Sequence, residues 1–346
     1  MPHIDFIAIV REAWESYDQS RVIKDVKDIS AHVSTNHVYQ IKFEGHQSVI
    51  AKLTYFGYYE HFVEDHSIIN SLSNNLPSPY ENLLSRSLMK GDHLYVYRYQ
   101  HSIIDAWVVF YRPIEIRRKL PRRLEPQQIK TLGEEFARFH KACHAIRNTL
   151  PPSSKTLKTD IDHLLELIHT DIGKYEHRTH EDAIEQHCEA FKFQTQKVGI
   201  DNLPRIPVFV DWNIGNFSVT DKLQLFSRWD YDWFRMSSRM LDFYFFSRVV
   251  SHVGDRTVFS YNISTLWEDR FLSFLQSYHN VNPLTESEVR FLPEAYRFFI
   301  LNYVIKDGRY FFHEIFATKL QKEAYETYLP SVESFPVDTV LKALNI

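Results

Sequence analysis

The spacing of apolar side chains divides the chain into two unequal parts. Up to about residue 100 they recur mainly at every second position, as Tyr39, Ile41 and Phe43 do before the turn at Glu44-Gly45-His46. Such alternation predicts strands with one buried face, joined by tight turns. The predicted strands are 38–43, 48–53, 83–89 and 93–99, and the predicted helices are 4–16 and 59–73. The first part is therefore predicted to be an antiparallel sheet with one helix, and the short helix 4–16 packs against it.

Beyond residue 100 the spacing becomes helical. The predicted helices cover 127–146, 161–174, 182–198 and much of the chain after 238, and short strands are predicted at 206–210 and 223–229. This order of elements predicts an α+β fold with two lobes. We place the boundary at residue 98, which gives an N-terminal lobe of 1–98 and a mainly helical C-terminal lobe of 99–346.

Composition narrows the class of protein. Hydrophobic residues make up 44% of the 346 residues and charged residues 24%, and no apolar run approaches the roughly 18 residues of a membrane-spanning helix. The net charge of −4 gives no reason to expect a nucleic-acid partner. Two cysteines and an N-terminus without a signal-peptide pattern lead us to expect a cytoplasmic protein without a membrane partner. Only 9 residues are glycine, which argues against a glycine-rich phosphate loop.

A group of carboxylates and one amide carries the most informative spacing. Asp211 is followed five positions later by Asn216, and Asp230 and Asp232 come after a short predicted strand. Phosphoryl transfer needs one carboxylate to orient and deprotonate a hydroxyl, and oxygen ligands that hold Mg²⁺ on the nucleotide phosphates. Asp211 fits the first role, and Asn216 and Asp230 fit the second. Asp232 is a candidate for a further metal carboxylate or a support for these ligands.

Lys52 could supply the other half of such a site. It follows Val49-Ile50-Ala51 on a predicted strand, the position from which a lysine reaches the α- and β-phosphates. A carboxylate on the next helix usually holds this lysine. We predict that Glu64 is this carboxylate. Glu60 and Asp65 are alternatives that spacing alone does not exclude.

Taken in order, these segments resemble the aminoglycoside phosphotransferase and choline kinase family. The resemblance covers roughly residues 30–250. It is carried by Asn36-His37-Val38-Tyr39, Ala51-Lys52, Leu132-Gly133 with His140, Asp211 with Gly215 and Asn216, Trp229-Asp230-Tyr231-Asp232, and Asp242-Phe243-Tyr244. It implies a bilobed protein-kinase-like fold and ATP and Mg²⁺ as cofactors, with transfer of the γ-phosphate to a hydroxyl of a small molecule.

The resemblance also implies further roles. Tyr97 to Tyr99 would form the hinge whose backbone meets adenine, and Asp242 would bond the backbone of the catalytic loop. Two departures stand out: Phe209-Val210 replaces the family's His-Gly, and no glycine occurs in the loop 29–36 that would cover the nucleotide. We expect Phe209 to fill the place of the histidine ring, and the hydroxyls of Ser34 and Thr35 to replace some phosphate contacts.

Two other functions remain open at this point. The departures are compatible with a catalytically inactive module that keeps the fold. A protein kinase is less favoured because no Ala-Pro-Glu follows Asp230. The acceptor is also open, since an aminoglycoside, choline, homoserine and a sugar all fit the family.

Overall fold

The computed structural model describes residues 4–45, 47–254 and 260–346, so His46 of the predicted turn lies outside the described residues. The helices are α1 Phe6–Tyr17, α2 Tyr59–Asn75, α3 Pro126–Ile146, α4 Leu157–Ile168, α5 Asp171–Glu176, α6 Glu181–Val198, α7 Phe243–Val250, α8 Asp269–Val281, α9 Glu286–Phe299, α10 Gly308–Phe311, α11 Glu314–Glu323, α12 Leu329–Ser331 and α13 Val337–Leu344. The strands are β1 Ile23–Asp28, β2 His37–Phe43, β3 Ser48–Thr54, β4 Met89–Lys90, β5 His93–Leu94, β6 Val96–His101, β7 Ile104–Tyr111, β8 Ile206–Val208, β9 Phe217–Val219, β10 Leu225–Arg228 and β11 Arg235–Ser237.

The small lobe is built on a five-stranded antiparallel sheet in the order β1-β2-β3-β7-β6. One face is covered by α1, which begins at the N-cap Asp5 and buries Val10, Ala13 and Trp14. These side chains pack against the alternate residues of β2 that the sequence pattern assigned to the buried face, among them Ile41. The other face of the sheet turns toward α2 and the large lobe.

The interior strand β7 was missing from the sequence prediction. It pairs with β3 on one side and β6 on the other, with Val109 opposite Lys52. From Ala106 to Tyr111 every residue is buried, so the strand has no polar face and shows no alternation. The predicted boundary at residue 98 falls inside β6, and the sheet continues to Tyr111. The polypeptide therefore leaves the small lobe after Tyr111.

The large lobe is organised around the packing of α3 against α8. Pro126 begins α3, and the backbone N–H of Glu125 donates to Gln128 Oε1 at 2.8 Å in a capping box. Gly133 lets the two helices approach closely, because a Cβ at this position would lie 2.5 Å from the backbone oxygen of Phe274. Short antiparallel pairs, β8 with β11 and β9 with β10, lie beside this core and frame the loop that contains Asp211.

This arrangement confirms the predicted α+β fold with a small sheet lobe and a larger helical lobe. Among the described residues, no helix is long and apolar enough to cross a membrane.

Gly133→Ala is expected to lower the free energy of unfolding by about 1–3 kcal/mol, because α3 and α8 must separate to admit the methyl group. Urea denaturation measures the change. Gly215→Ala is the matched control, since a Cβ there meets nothing within 4 Å. Equal effects of the two substitutions would contradict the role assigned to Gly133.

Candidate active site

A buried carboxylate holds the loop between β8 and β9. Asp242 Oδ1 accepts hydrogen bonds from the backbone N–H groups of Phe209 at 2.9 Å and Val210 at 2.6 Å. Its Oδ2 lies 3.1 Å from His140 Nε2, and both side chains are fully buried. Burial lowers the pKa of His140. Asp242 thus bonds the loop backbone as the sequence resemblance implied.

Val210 adopts a backbone conformation that favours glycine. Its φ is +60°, in the left-handed region, where a β-branched residue is strained. The two hydrogen bonds to Asp242 enclose this residue and hold it there. The position matches the glycine of the family's His-Gly, and glycine adopts a positive φ without this strain. The Phe209 ring is buried beneath the loop, 5.7 Å from the Trp212 ring.

Asp211 follows this turn and faces Asn216. Asp211 Oδ1 accepts from the backbone N–H of Asn213 at 3.1 Å, and Oδ2 accepts from Asn216 Nδ2 at 2.9 Å. Burial, with the nearby charge of Asp230, raises the pKa of Asp211 to about 7. A carboxylate with this pKa is a stronger base than an exposed aspartate.

Asp230 is tied to the same loop. The backbone N–H of Trp229 donates to the carbonyl of Asn216 at 3.0 Å, which links the segment after β10 to the loop after β8. Asp230 has a φ of +68°, a second strained position at this site. The structure therefore brings Asp211, Asn216 and Asp230 together, as the spacing predicted.

Lys52 joins this group from the small lobe. Its Nζ lies 3.1 Å from Asp230 Oδ1 and also donates to Asp232 Oδ1, and the lysine is only 6% exposed. Burial acts against its charge, but the two carboxylates outweigh burial and raise its pKa. Asp232 also accepts a hydrogen bond of 2.6 Å from Asn36 Nδ2. Both oxygens of Asp232 therefore contact small-lobe side chains.

The predicted partner of Lys52 is wrong. Glu64 accepts from Ser153 Oγ at 2.9 Å and Ser154 N at 2.8 Å, both in the large lobe. The rivals are engaged elsewhere as well: Asp65 pairs with Lys155, and Glu60 lies 3.5 Å from Arg98. The helix turns its carboxylates toward the large lobe and the solvent, so the charges that hold Lys52 come from Asp230 and Asp232.

His66 lies on the face of α2 that turns toward Tyr111 and Lys52. Its Nδ1 lies 2.9 Å from the carbonyl of Phe62 and its Nε2 contacts the Tyr111 hydroxyl. Burial lowers the pKa of His66 to about 3, so the ring is neutral beside Lys52.

The loop 29–36 is bonded to the large lobe. The Thr35 N–H donates to the carbonyl of Phe311 at 2.8 Å, and its hydroxyl donates to the carbonyl of Tyr310 at 2.9 Å. Ser34 forms an isolated β-bridge with Phe312. The expectation that the Thr35 hydroxyl is available to phosphate is therefore wrong for this arrangement. We name these contacts between 34–35 and 310–312 the interlobe bridge.

The predicted hinge also lies elsewhere. Tyr97 and Tyr99 are on β6, the edge strand, where they pair with Val108 and Ala106. The Tyr97 hydroxyl donates to Glu12 of α1, on the side of the sheet away from the large lobe. The chain crosses between the lobes after Tyr111, so the connection between the lobes lies there instead.

Arg228 is a site residue that the sequence did not suggest. It is fully buried, and its Nη2 donates to the carbonyls of Asp211 at 3.0 Å and Asp230 at 3.3 Å. The guanidinium lies 4.5 Å from the centroid of the Phe209 ring and 4.4 Å from that of Trp212. Arginine side chains are rarely buried, so the sequence offered no reason to place Arg228 in the interior. The pattern of apolar residues in β10 is also that of an ordinary strand. Arg228 therefore links the backbone at Asp211 to the backbone at Asp230 from the buried side of the site.

The oxygen ligands suit a hard divalent cation. Among residues 4–45, 47–254 and 260–346, no three or more His, Cys, Asp or Glu side chains are grouped to hold a metal ion. Asn216 and Asp230 instead offer one amide oxygen and one carboxylate that is 39% exposed. Mg²⁺ typically binds one or two carboxylates together with phosphate oxygens and water, so this donor set fits it.

A cavity of about 380 Å³ lies between the lobes beside Asp232. The small lobe contributes the end of β3 and the first half of α2, and the large lobe contributes α4 and the segments around 231–235 and 302–307. Its lining residues are Thr54, Phe56, Gly57, Tyr58, His61, Phe62, Asp65, His66, Ser154, Lys155, Thr159, Asp160, His163, Tyr231, Asp232, Phe234, Arg235, Asn302, Tyr303, Lys306 and Asp307.

Solved structures with the same fold are small-molecule phosphotransferases. An amicoumacin kinase, hAmiN, in complex with AMP-PNP, Ca²⁺ and Ami has a TM-score of 0.62 at 15% identity, over 94% of this chain and 95% of its own. A microcompartment-associated aminopropanol kinase has a TM-score of 0.60 at 16% identity, over 97% and 99%. APH(2″)-IIa in a ternary complex with streptomycin and ATP has a TM-score of 0.55 at 13% identity, over 95% and 99%.

No protein-family model and no curated protein sequence matches the chain. The structural likeness covers nearly the whole of each chain, and it confirms the predicted bilobed kinase-like fold. At 13–16% identity the likeness concerns the fold, so function rests on the residues of the site.

Asp211→Asn is expected to stabilise the protein at pH 8 by roughly 4 kcal/mol and to change little at pH 4. An unfolded aspartate has a pKa of about 4, whereas folded Asp211 has a pKa of about 7. The folded state therefore loses stability as pH rises from 4 to 7, and asparagine removes this cost. Urea unfolding at the two pH values measures the difference, and an equal effect at both would contradict it.

Proposed function

We propose that this protein transfers the γ-phosphate of ATP to a hydroxyl group of a small molecule. The observation that carries the proposal is the convergence of Asp211, Asn216, Asp230 and Lys52 from three separated segments of the chain. Each supplies a charge or oxygen ligand that phosphoryl transfer needs. The strained backbone at Val210 and Asp230 supports it, because such strain persists mainly at functional sites.

Asp211 is the proposed base. It orients the acceptor hydroxyl and takes its proton while a new bond forms between the hydroxyl oxygen and the γ-phosphorus. The bond from that phosphorus to the bridging oxygen breaks, and ADP leaves with the electron pair. Asn216 holds Asp211 through the 2.9 Å hydrogen bond, which fixes the direction of the carboxylate.

Lys52, Asn216 and Asp230 are the proposed nucleotide and metal ligands. Lys52 binds the α- and β-phosphates, and Asp232 keeps its ammonium group at the cleft in the role first assigned to Glu64. Asn216 and Asp230 would hold Mg²⁺, which when bound offsets the charge of the phosphates. ATP and Mg²⁺ are therefore the proposed cofactors, and the acceptor is proposed to be a small molecule because no Ala-Pro-Glu segment follows Asp230.

An inactive binding module is the second candidate, and the interlobe bridge favours it. Thr35 is bonded to the large lobe, and the loop around it contains no glycine. Nucleotide must either displace these contacts or bind with them in place. Acceptor-dependent release of ADP distinguishes a phosphotransferase from an inactive binding module.

Asp211→Asn is expected to lower acceptor-dependent ADP release by at least about a thousandfold, because the hydroxyl loses its base and orienting group. The thermal shift caused by ATP with Mg²⁺ is expected to remain. Asp221→Asn, at a 96% exposed position ten residues along the chain, is the matched control and keeps full activity. A wild-type protein that shifts with ATP but never releases ADP would favour the binding module, and an active Asp211→Asn variant would remove Asp211 from the mechanism.

Arg228→Met is expected to lower kcat about ten- to a hundredfold, because the carbonyls of Asp211 and Asp230 lose their shared donor and the carboxylates lose alignment. Coupled ADP release measures it. Arg117→Met is the control. The Arg117 guanidinium lies 3.9 Å from the centroid of the ring of Phe226, which is on β10 with Arg228, but the Arg117 side chain is 52% exposed. Unchanged kcat in folded Arg228→Met would show that the guanidinium serves packing alone.

A further inference from the structure

A row of buried hydrogen bonds continues from His140 away from the active-site loop. His140 uses Nε2 toward Asp242, and its other ring nitrogen, Nδ1, lies 2.8 Å from the Tyr278 hydroxyl. The Tyr278 oxygen in turn accepts from Arg239 Nη1 at 3.2 Å. His140 and Tyr278 are fully buried, and the side chain of Arg239 is 13% exposed. The row therefore joins Asp242 to residues of α3, of α8 and of the turn Arg239–Asp242.

The chemistry of these groups gives every hydrogen bond in the row one direction. A guanidinium donates and never accepts, so the Tyr278 oxygen accepts from Arg239 and the hydroxyl proton is left for His140 Nδ1. Asn282 Nδ2 is a second donor to the same oxygen, at 3.3 Å. Burial lowers the pKa of His140, so its ring carries a single proton at neutral pH. With Nδ1 accepting, that proton is on Nε2 and is donated to Asp242.

Arg239 is itself fixed by a carboxylate. Its Nε and Nη2 donate to the two oxygens of Glu288 at 2.6 and 2.8 Å, and Nη2 also donates to the carbonyl of Pro283 at 2.6 Å. Glu288 is buried and accepts at 2.9 Å from the backbone N–H of Thr285, the N-cap of α9. Burial acts against the charge of Glu288, but its donors outweigh burial and lower its pKa. The bidentate pair therefore holds the guanidinium with Nη1 directed at Tyr278.

Asp242 has two tasks that depend on the proton of His140. Its Oδ1 holds the backbone N–H groups of Phe209 and Val210, and its Oδ2 faces His140 Nε2. An unprotonated Nε2 would set one lone pair against another and leave a buried carboxylate oxygen without its donor. The carboxylate would then have to turn, and the two backbone hydrogen bonds that shape the turn before Asp211 would lengthen or break.

Tyr278 excludes that tautomer. A proton on His140 Nδ1 would point at an oxygen whose acceptor sites already hold Arg239 and Asn282. The hydroxyl proton has no other place to turn, since these two donors occupy the remaining directions. The ring therefore has one favourable tautomer, and it is the one that Asp242 needs.

We propose that Tyr278 and Arg239 are positioning residues for the proposed base Asp211, and that they act by keeping the proton of His140 on Nε2. The effect passes from His140 to Asp242 and from there to the backbone that aims Asp211. Its consequence for turnover rests on the phosphotransferase function proposed above. Its consequences for His140 and for the loop do not, so they are measured on the free protein.

The ring nitrogens of His140 test the first step. In the free protein labelled with ¹⁵N-histidine, their chemical shifts are expected to show a protonated Nε2 and an unprotonated Nδ1. The signals are assigned by their absence in His140→Gln. A proton on Nδ1 would overturn the proposal.

The backbone amides of Phe209 and Val210 test the second step. Tyr278→Phe keeps the ring and removes only the hydroxyl, and hydrogen exchange at these two amides is expected to become at least about tenfold faster. Tyr296→Phe is the matched control, because it removes a buried hydroxyl that donates to the carbonyl of Tyr261 at 2.6 Å, outside the row. Exchange that accelerates equally in both variants would assign the effect to general stability and overturn the role of Tyr278.

Turnover tests the third step. Tyr278→Phe is expected to lower kcat about tenfold, with KM for ATP changed less than about twofold, because the base is misdirected while the nucleotide ligands stay in place. Arg239→Lys keeps a charge beside Glu288 but lacks the branch that reaches Tyr278, and it is expected to lower kcat in the same way. Melting temperatures identify a variant that does not fold, and Tyr278→Phe then decides. ADP release is measured with kanamycin, choline, homoserine and glucose, and the acceptor with the highest kcat/KM is used for all variants.

The outcomes separate this inference from the proposed function. Absence of ADP release from the wild-type protein with every acceptor contradicts the phosphotransferase proposal, and the His140 and amide measurements then decide the inference alone. With an active wild type, an unchanged kcat in Tyr278→Phe, or a loss equal to that in Tyr296→Phe, overturns the positioning role and leaves the proposed function intact.

Discussion

The hydrogen bonds to the buried carboxylate of Asp242 are the interaction on which the site depends. A charge that is fully removed from water is stable only when donors surround it, and here the donors are two backbone N–H groups and His140. The same bonds keep Val210 at a positive φ, and the turn there aims Asp211. A stabilising contact in the core thus sets the direction of the proposed base.

Sequence spacing identified which residues meet at this site, but it did not identify which carboxylate pairs with Lys52. Asp211, Asn216 and Asp230 could be found because loop geometry fixes their separation along the chain. The partner of Lys52 could not, because one helical turn offered three carboxylates and the structure uses Asp232 from a different segment. The strand β7 was missed because both of its faces are buried, and a buried strand shows no alternation.

Moving the partner of Lys52 to Asp232 changes what α2 does. The helix supplies no carboxylate to Lys52, and its Glu64 and Asp65 contact the segment 153–155 of the large lobe instead. The neutral His66 fills the space beside Lys52 without competing for its charge. The helix therefore contacts the large lobe, while Lys52 is held by the segment 230–232, which also contacts Asn36.

The interlobe bridge has a consequence for how the two ends of the sequence are coupled. Through Thr35, the loop before β2 takes its shape from backbone carbonyls at 310 and 311 as well as from its own strands. These carbonyls belong to α10, and the hydroxyl contact joins residues 275 positions apart in the sequence. The two lobes cannot separate at this point unless both hydrogen bonds of Thr35 break.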